Sequence, residues 1–92
     1  MNTSVEISYY PLKQDFIAPI LDFIERLNMY KEIKVVTNGI STQVFGEYFI
    51  LMKILTEEIH KSFNLPYSVF VLKIINADLN DYEAERMKQN SE

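Results

Sequence analysis

From Ser4 to Tyr10 apolar and polar positions alternate, with Val5, Ile7 and Tyr9 on one side and Glu6, Ser8 and Tyr10 on the other. A period of two is the mark of a half-buried strand. Pro11 has no N–H to give to a ladder, so it marks the expected end. After the polar linker Lys13-Gln14-Asp15 the period changes. Ile17, Ile20, Leu21, Ile24 and Leu27 recur at helical spacing, with Asp22, Glu25 and Arg26 on the wet side. The spacing predicts a helix to about Tyr30, N-capped by Asp15. Pro19 falls in or just after its first turn, where a missing N–H costs little. A second helix is expected from Tyr48 to Asn64, on the stripe Leu51, Met52, Leu55, Ile59 and Phe63. Lys53, Glu57, Glu58 and Lys61 are assigned to solvent, Glu57 and Lys61 being spaced for a weak i,i+4 pair. Asn64-Leu65-Pro66 closes that helix. Tyr67 to Ile75 reads as a last strand, with Phe70, Leu72 and Ile74 on one face and Val69, Val71, Lys73 and Ile75 on the other.

Between the helices lies Val35 to Tyr48, two short strands joined at Asn38-Gly39. Asn-Gly is a strong short-range hairpin signal, because both residues tolerate the positive φ of a type I′ turn. With those two residues as the loop, Thr37 opposes Ile40, Val36 opposes Ser41 and Val35 opposes Thr42. Opposed residues share a face. Ile33, Val35, Thr37, Ile40, Thr42, Val44 and Gly46 then form a mostly apolar face toward the core. Lys34, Val36, Ser41, Gln43, Phe45 and Glu47 form the other. Thr37 and Thr42 put two hydroxyls near the turn. Threonine is β-branched and favoured in strands for that reason alone. Small polar groups at the end of a core face also suit the lining of a ligand pocket.

The order β-α-β-β-α-β points to an α+β ferredoxin-like sandwich, a four-stranded antiparallel sheet with two helices on one face. Right-handed crossovers place the first and third strands in the centre. The other face then exposes Tyr10, Val36, Phe45, Val69, Val71 and Ile75. A patch of that kind usually marks an interface, and a homo-oligomer packed sheet to sheet is the expectation. The expected domain spans 1–76, followed by a polar acidic tail, 77–92.

A single domain of 92 residues, 48 % hydrophobic and 24 % charged, has the balance of a globular protein with one two-layer core. No run of 18 apolar residues suggests a membrane span, and no signal peptide is visible at the start. A cytoplasmic location is therefore expected. The absence of cysteine removes disulfides, thiolate metal sites and cysteine nucleophiles. A net charge of −4 with no basic stripe argues against nucleic acid as a partner.

No catalytic constellation is visible. His60 is the single histidine, on the expected second helix near Glu57 and Glu58, where surface helices commonly carry such neighbours. With only Gly39 and Gly46 there is no glycine-rich phosphate loop. Ser8, Ser41, Ser62 and Ser68 have no histidine placed for them by a motif. Neither enzyme activity, nor a cofactor, nor a metal is expected.

Ile7-Ser8-Tyr9-Tyr10-Pro11-Leu12, then Asp15-Phe16, then Thr37, Ser41-Thr42 and Gly46 together resemble the YkoF-like thiamin/hydroxymethylpyrimidine-binding family, from about Val5 to Ile75. The resemblance implies a ferredoxin-like fold, a single repeat that assembles with copies of itself, and binding of thiamin or its pyrimidine moiety without catalysis. Thr37, Asn38, Ser41 and Thr42 would supply fixed donors and acceptors, and Tyr9 or Phe16 a flat apolar wall. Thiamin-binding members are acidic just after the threonine that matches Thr37, where this chain has Asn38 and Gly39. Asp15 or Glu47 would have to meet the positive thiazolium instead. The alternative is an oligomeric interaction or regulatory module with no small ligand.

Overall fold

A computed structural model describes residues 1–38 and 41–79. Gly39, Ile40 and most of the expected tail, 80–92, lie outside the described residues. The element order is β1 (Asn2–Pro11), α1 (Ile17–Asn28), β2 (Lys34–Thr37), β3 (Thr42–Glu47), α2 (Tyr48–Ser62) and β4 (Ser68–Ile75). The four strands form one sheet in the order β2-β3-β1-β4, every neighbour antiparallel, with β1 and β3 central. This is the α+β ferredoxin-like sandwich.

The alternation in β1 decides which face the helices cover. Val5, Ile7 and Tyr9 are buried with Val44 of β3, Phe23 and Leu27 of α1, and Leu51, Ile54 and Leu55 of α2. Burying each of these large side chains stabilises the fold by about 1.5–3 kcal/mol before entropy is counted. At the α1 end the core is aromatic. Tyr9 stacks on Phe70 at 4.2 Å between centroids, and Phe23 meets Tyr9 edge-on at 5.8 Å. At Gly46 the packing is close: a Cβ there would lie 3.0 Å from Ile33 Cγ2 and 3.6 Å from Leu51 Cδ1, so a side chain would have to push the Ile33 methyl aside by a few tenths of an ångström.

Several expectations are corrected. Asp15 does not cap α1. Phe16 occupies the N-cap position, without a side-chain cap bond. The buried stripe of α1 is centred on Phe23 and Leu27, flanked by half-buried Ile20 and Ile24, while Ile17 and Leu21 are exposed. The rotation seats the Phe23 ring in the aromatic group rather than the smaller Ile17. It also turns Arg26 inward. On α2 the buried series is Leu51, Ile54, Leu55, Glu58 and Ser62. Glu58, assigned to solvent, is 1 % exposed, and Phe63, assigned to the core, is exposed.

The hairpin register is also shifted. Thr37 pairs with Thr42, Val36 with Gln43 and Val35 with Val44. The Asn38 N–H donates to the Ser41 carbonyl at 3.1 Å, while the Ser41 N–H donates to Asn38 Oδ1 at 3.0 Å. The asparagine therefore closes the turn with its side chain instead of occupying its centre. A two-residue slip preserves strand parity, so Val35, Thr37, Thr42 and Val44 still share the helix-side face. Finally, Phe45 on the open face is 9 % exposed, not bare. The chain after β4 turns back over this end of the sheet: Ser4 Oγ donates to the Ala77 carbonyl at 2.6 Å and accepts from the Leu79 N–H at 2.9 Å. Tyr10, Val36, Val69 and Val71 on the same face remain exposed.

Candidate functional site

β1 is longer than its partner. Its ladder with β3 ends at Ile7↔Thr42, whereas its ladder with β4 continues to Pro11↔Ser68. Among the described residues, the Ser8–Tyr10 stretch thus has a strand on one side and a notch on the other. A pocket of ≈ 170 Å³ occupies that notch. Its apolar floor is Ile7 and Tyr9 of β1 with Ile20, Phe23 and Ile24 of α1. Its polar rim is Thr37, Asn38, Ser41 and Thr42, with Ser8 and Tyr10 along the β1 edge. Among the described residues no carboxylate, ammonium or guanidinium lines it.

The rim is partly self-satisfied. The Thr37 and Thr42 hydroxyls lie 3.5 Å apart, a weak contact that uses little of either group's capacity. Ser41 Oγ donates to Glu6 Oε2 at 3.3 Å. The Tyr9 hydroxyl points away from the notch, to Ser68 Oγ at 3.0 Å, so its contribution there is the ring. An apolar floor under a few placed polar groups can hold a flat, uncharged ring and fix its edge.

Of the residues singled out from the sequence, Tyr9, Thr37, Asn38, Ser41 and Thr42 come together in this pocket. Phe16 and Glu47 do not line it. Phe16 precedes α1 and is exposed. Glu47 sits at the opposite end of β3, where its Oε2 accepts from the Ile50 N–H at 3.0 Å and caps α2. Asp15 is not a lining residue either. Ser8, Ile20, Phe23 and Ile24 were not anticipated. The i,i+3,i+4 spacing of Ile20, Phe23 and Ile24 was the available signal.

A larger hollow of ≈ 460 Å³ lies between the helices, lined by Arg26, Lys61, Ser62 and neighbours. Its cations are already engaged. Arg26 donates to Glu58 Oε1 at 2.8 Å, to the Glu58 carbonyl at 3.1 Å, to Ser62 Oγ at 2.6 Å and to Asp22 Oδ2 at 3.0 Å. Tyr30 Oη and Lys61 Nζ donate to Glu58 Oε2 at 2.6 and 3.1 Å. Burial raises the Glu58 pKa most strongly, but the hydrogen bonds from Tyr30, Lys61 and Arg26 outweigh it, and the carboxyl is held below its usual value. The hydrogen bond to Glu58, then burial, pushes the Tyr30 phenol up to about 12. This cluster ties α1 to α2 and leaves little for a ligand.

The fold is shared with solved structures. Protein SP2199 of Streptococcus pneumoniae has 26 % identity and a TM-score of 0.81, over 92 % of this chain and 99 % of that one. A hypothetical protein of Methanocaldococcus jannascii has 22 % identity and a TM-score of 0.78, over 95 % and 96 %. A proposed thiamine biosynthesis/salvage protein of Thermotoga maritima has 21 % identity and a TM-score of 0.76, over 84 % and 85 %. No family model and no curated protein matches the chain. Among the described residues no helix is long and apolar enough to cross a membrane.

Proposed function

We propose that this chain is a non-enzymatic small-molecule binder of the YkoF-like kind, and that the notch beside β1 takes the pyrimidine moiety of thiamin. The observation that carries this is the pocket itself: ≈ 170 Å³, apolar below, polar at the rim and, among the described residues, without a charged side chain. An apolar cavity of about 150 Å³ accepts a benzene ring, so one ring fits and two do not. The thiazolium of thiamin would project from the mouth, and neither Asp15 nor Glu47 lines the site to meet it. The Thermotoga neighbour, described as a proposed thiamine biosynthesis/salvage protein, supports a pyrimidine over other rings of that size.

A thermal-shift titration with hydroxymethylpyrimidine, thiamin and thiamin phosphates tests this. A ligand bound only by the folded state, at one hundred times its Kd, adds about 2.7 kcal/mol. That raises the midpoint of a domain this size by roughly ten degrees or more. Hydroxymethylpyrimidine is expected to give the largest shift. No shift with any of the compounds at millimolar concentration overturns the proposal. The still exposed Tyr10, Val36, Val69 and Val71 support assembly through the open sheet face, and a monomeric mass in light scattering at micromolar concentration would refute that part.

A further inference from the structure

We infer that Glu6, on the open face of the sheet, is a positioning residue that fixes Ser41 as a hydrogen-bond acceptor toward the pocket, so that the site selects an amino-substituted ring over its oxo counterpart. The inference rests on the pocket assignment above. A serine hydroxyl has one proton and two lone pairs. Ser41 Oγ directs its proton to Glu6 Oε2 at 3.3 Å. An ionised carboxylate has nothing to donate in return. The serine, a pocket rim residue, is left with lone pairs.

The surroundings hold this polarity in place. Glu6 Oε1 lies 3.8 Å from Lys73 Nζ, which keeps a positive charge beside the carboxylate. The Ser41 backbone is pinned from the other side, its N–H to Asn38 Oδ1 and its carbonyl to the Asn38 N–H. A ring amino group facing Ser41 Oγ supplies the missing proton. A ring carbonyl there sets oxygen against oxygen, unless Ser41 turns its proton away from Glu6 and leaves that carboxylate with one partner fewer.

The test compares 4-amino-2-methylpyrimidine with its 4-oxo analogue by calorimetry on the intact chain. The wild type is expected to prefer the amino ring by about tenfold, the scale of one hydrogen bond. Glu6→Ala, at a half-exposed position, is expected to bring that ratio near one by freeing the Ser41 hydroxyl to turn. In a Ser41→Ala background the same substitution is expected to leave the ratio unchanged, because Glu6 acts through Ser41. A structural role for Glu6 would weaken both ligands equally and keep the ratio. That result, or a wild type that does not discriminate, overturns the inference while leaving the pocket assignment standing. If neither ring binds the wild type, the pocket assignment fails and the inference with it.

Discussion

Two polar clusters touch the aromatic core from different sides, and they are built on opposite principles. Glu58 is a fully buried charge with three side-chain donors, one of them an arginine that also bonds Ser62. The notch beside β1 has no charged side chain among its described lining residues, and its two threonine hydroxyls meet only at 3.5 Å. A buried carboxylate is costly unless every lone pair is met. Neutral hydroxyls at a half-open rim can be left to water or to a ligand at small cost. Saturated clusters hold folds together, and undersaturated ones over an apolar floor have something left to bind with. Volume alone would have chosen the other side, since the hollow by Arg26 is larger.

Arg26→Met breaks the comparison hardest. It keeps the aliphatic stem but removes two donors to Glu58 and the bond to Ser62. Taking one partner from a buried ion pair destabilises by about 3 kcal/mol. Urea unfolding should show that loss, and ligand affinity in the surviving folded protein should be unchanged. A variant as stable as the wild type would mean that the Glu58 cluster does not staple the helices.

The same cluster sets an acid limit. The Glu58 carboxyl is held below its ordinary value of 4.5, so the folded state favours the carboxylate. Its contribution is present above about pH 4.5 and is lost as pH falls toward the folded-state value. Tyr30 has the opposite sign: with its pKa raised from 10.0 to about 12, its contribution is complete below pH 10 and is lost between there and 12. Stability measured against pH should fall at both ends in the wild type. In Glu58→Gln the acid limb should flatten, and an unchanged acid limb would remove Glu58 as its source.

The notch was far more legible in the sequence than the cluster. Strand parity needs only local alternation, and it put Thr37 and Thr42 on the helix side even with the register two residues out. The turn was misplaced because Asn-Gly favours the centre of a tight turn, while here Asn38 uses its side-chain oxygen to accept from Ser41. Glu58 was missed because a lone carboxylate on a helix is ordinarily solvated, and its partners Arg26 and Tyr30 lie 32 and 28 positions away. The signal was phase. Leu51, Ile54 and Leu55 continue at helical spacing to Glu58 and Ser62, so two polar residues stood where the core required a reason for them. Glu47 lies away from the notch for a related cause. It is the last residue of β3, its neighbour Tyr48 starts α2, and an acidic residue just before a helix caps it.

Thr42→Val is the smallest change and the sharpest test of the contrast. The two side chains have nearly the same shape, Thr42 is buried, and among the described residues its hydroxyl has only the long contact to Thr37. Stability should therefore move by less than about 1 kcal/mol in either direction, against about 3 kcal/mol for Arg26→Met. If the hydroxyl meets a buried ligand group, affinity for hydroxymethylpyrimidine should fall by roughly 1 kcal/mol or more. Calorimetry and urea unfolding on the same preparation separate the two effects. Weaker binding at unchanged stability is the expected pattern, because a residue that binds need not be one that folds. Unchanged affinity in an intact fold would take Thr42 out of the site and leave Ser41 and Asn38 to hold the ring's edge. A large loss of stability would instead show the Thr37–Thr42 contact to be structural, and the distinction between the two clusters would fail at its weakest bond.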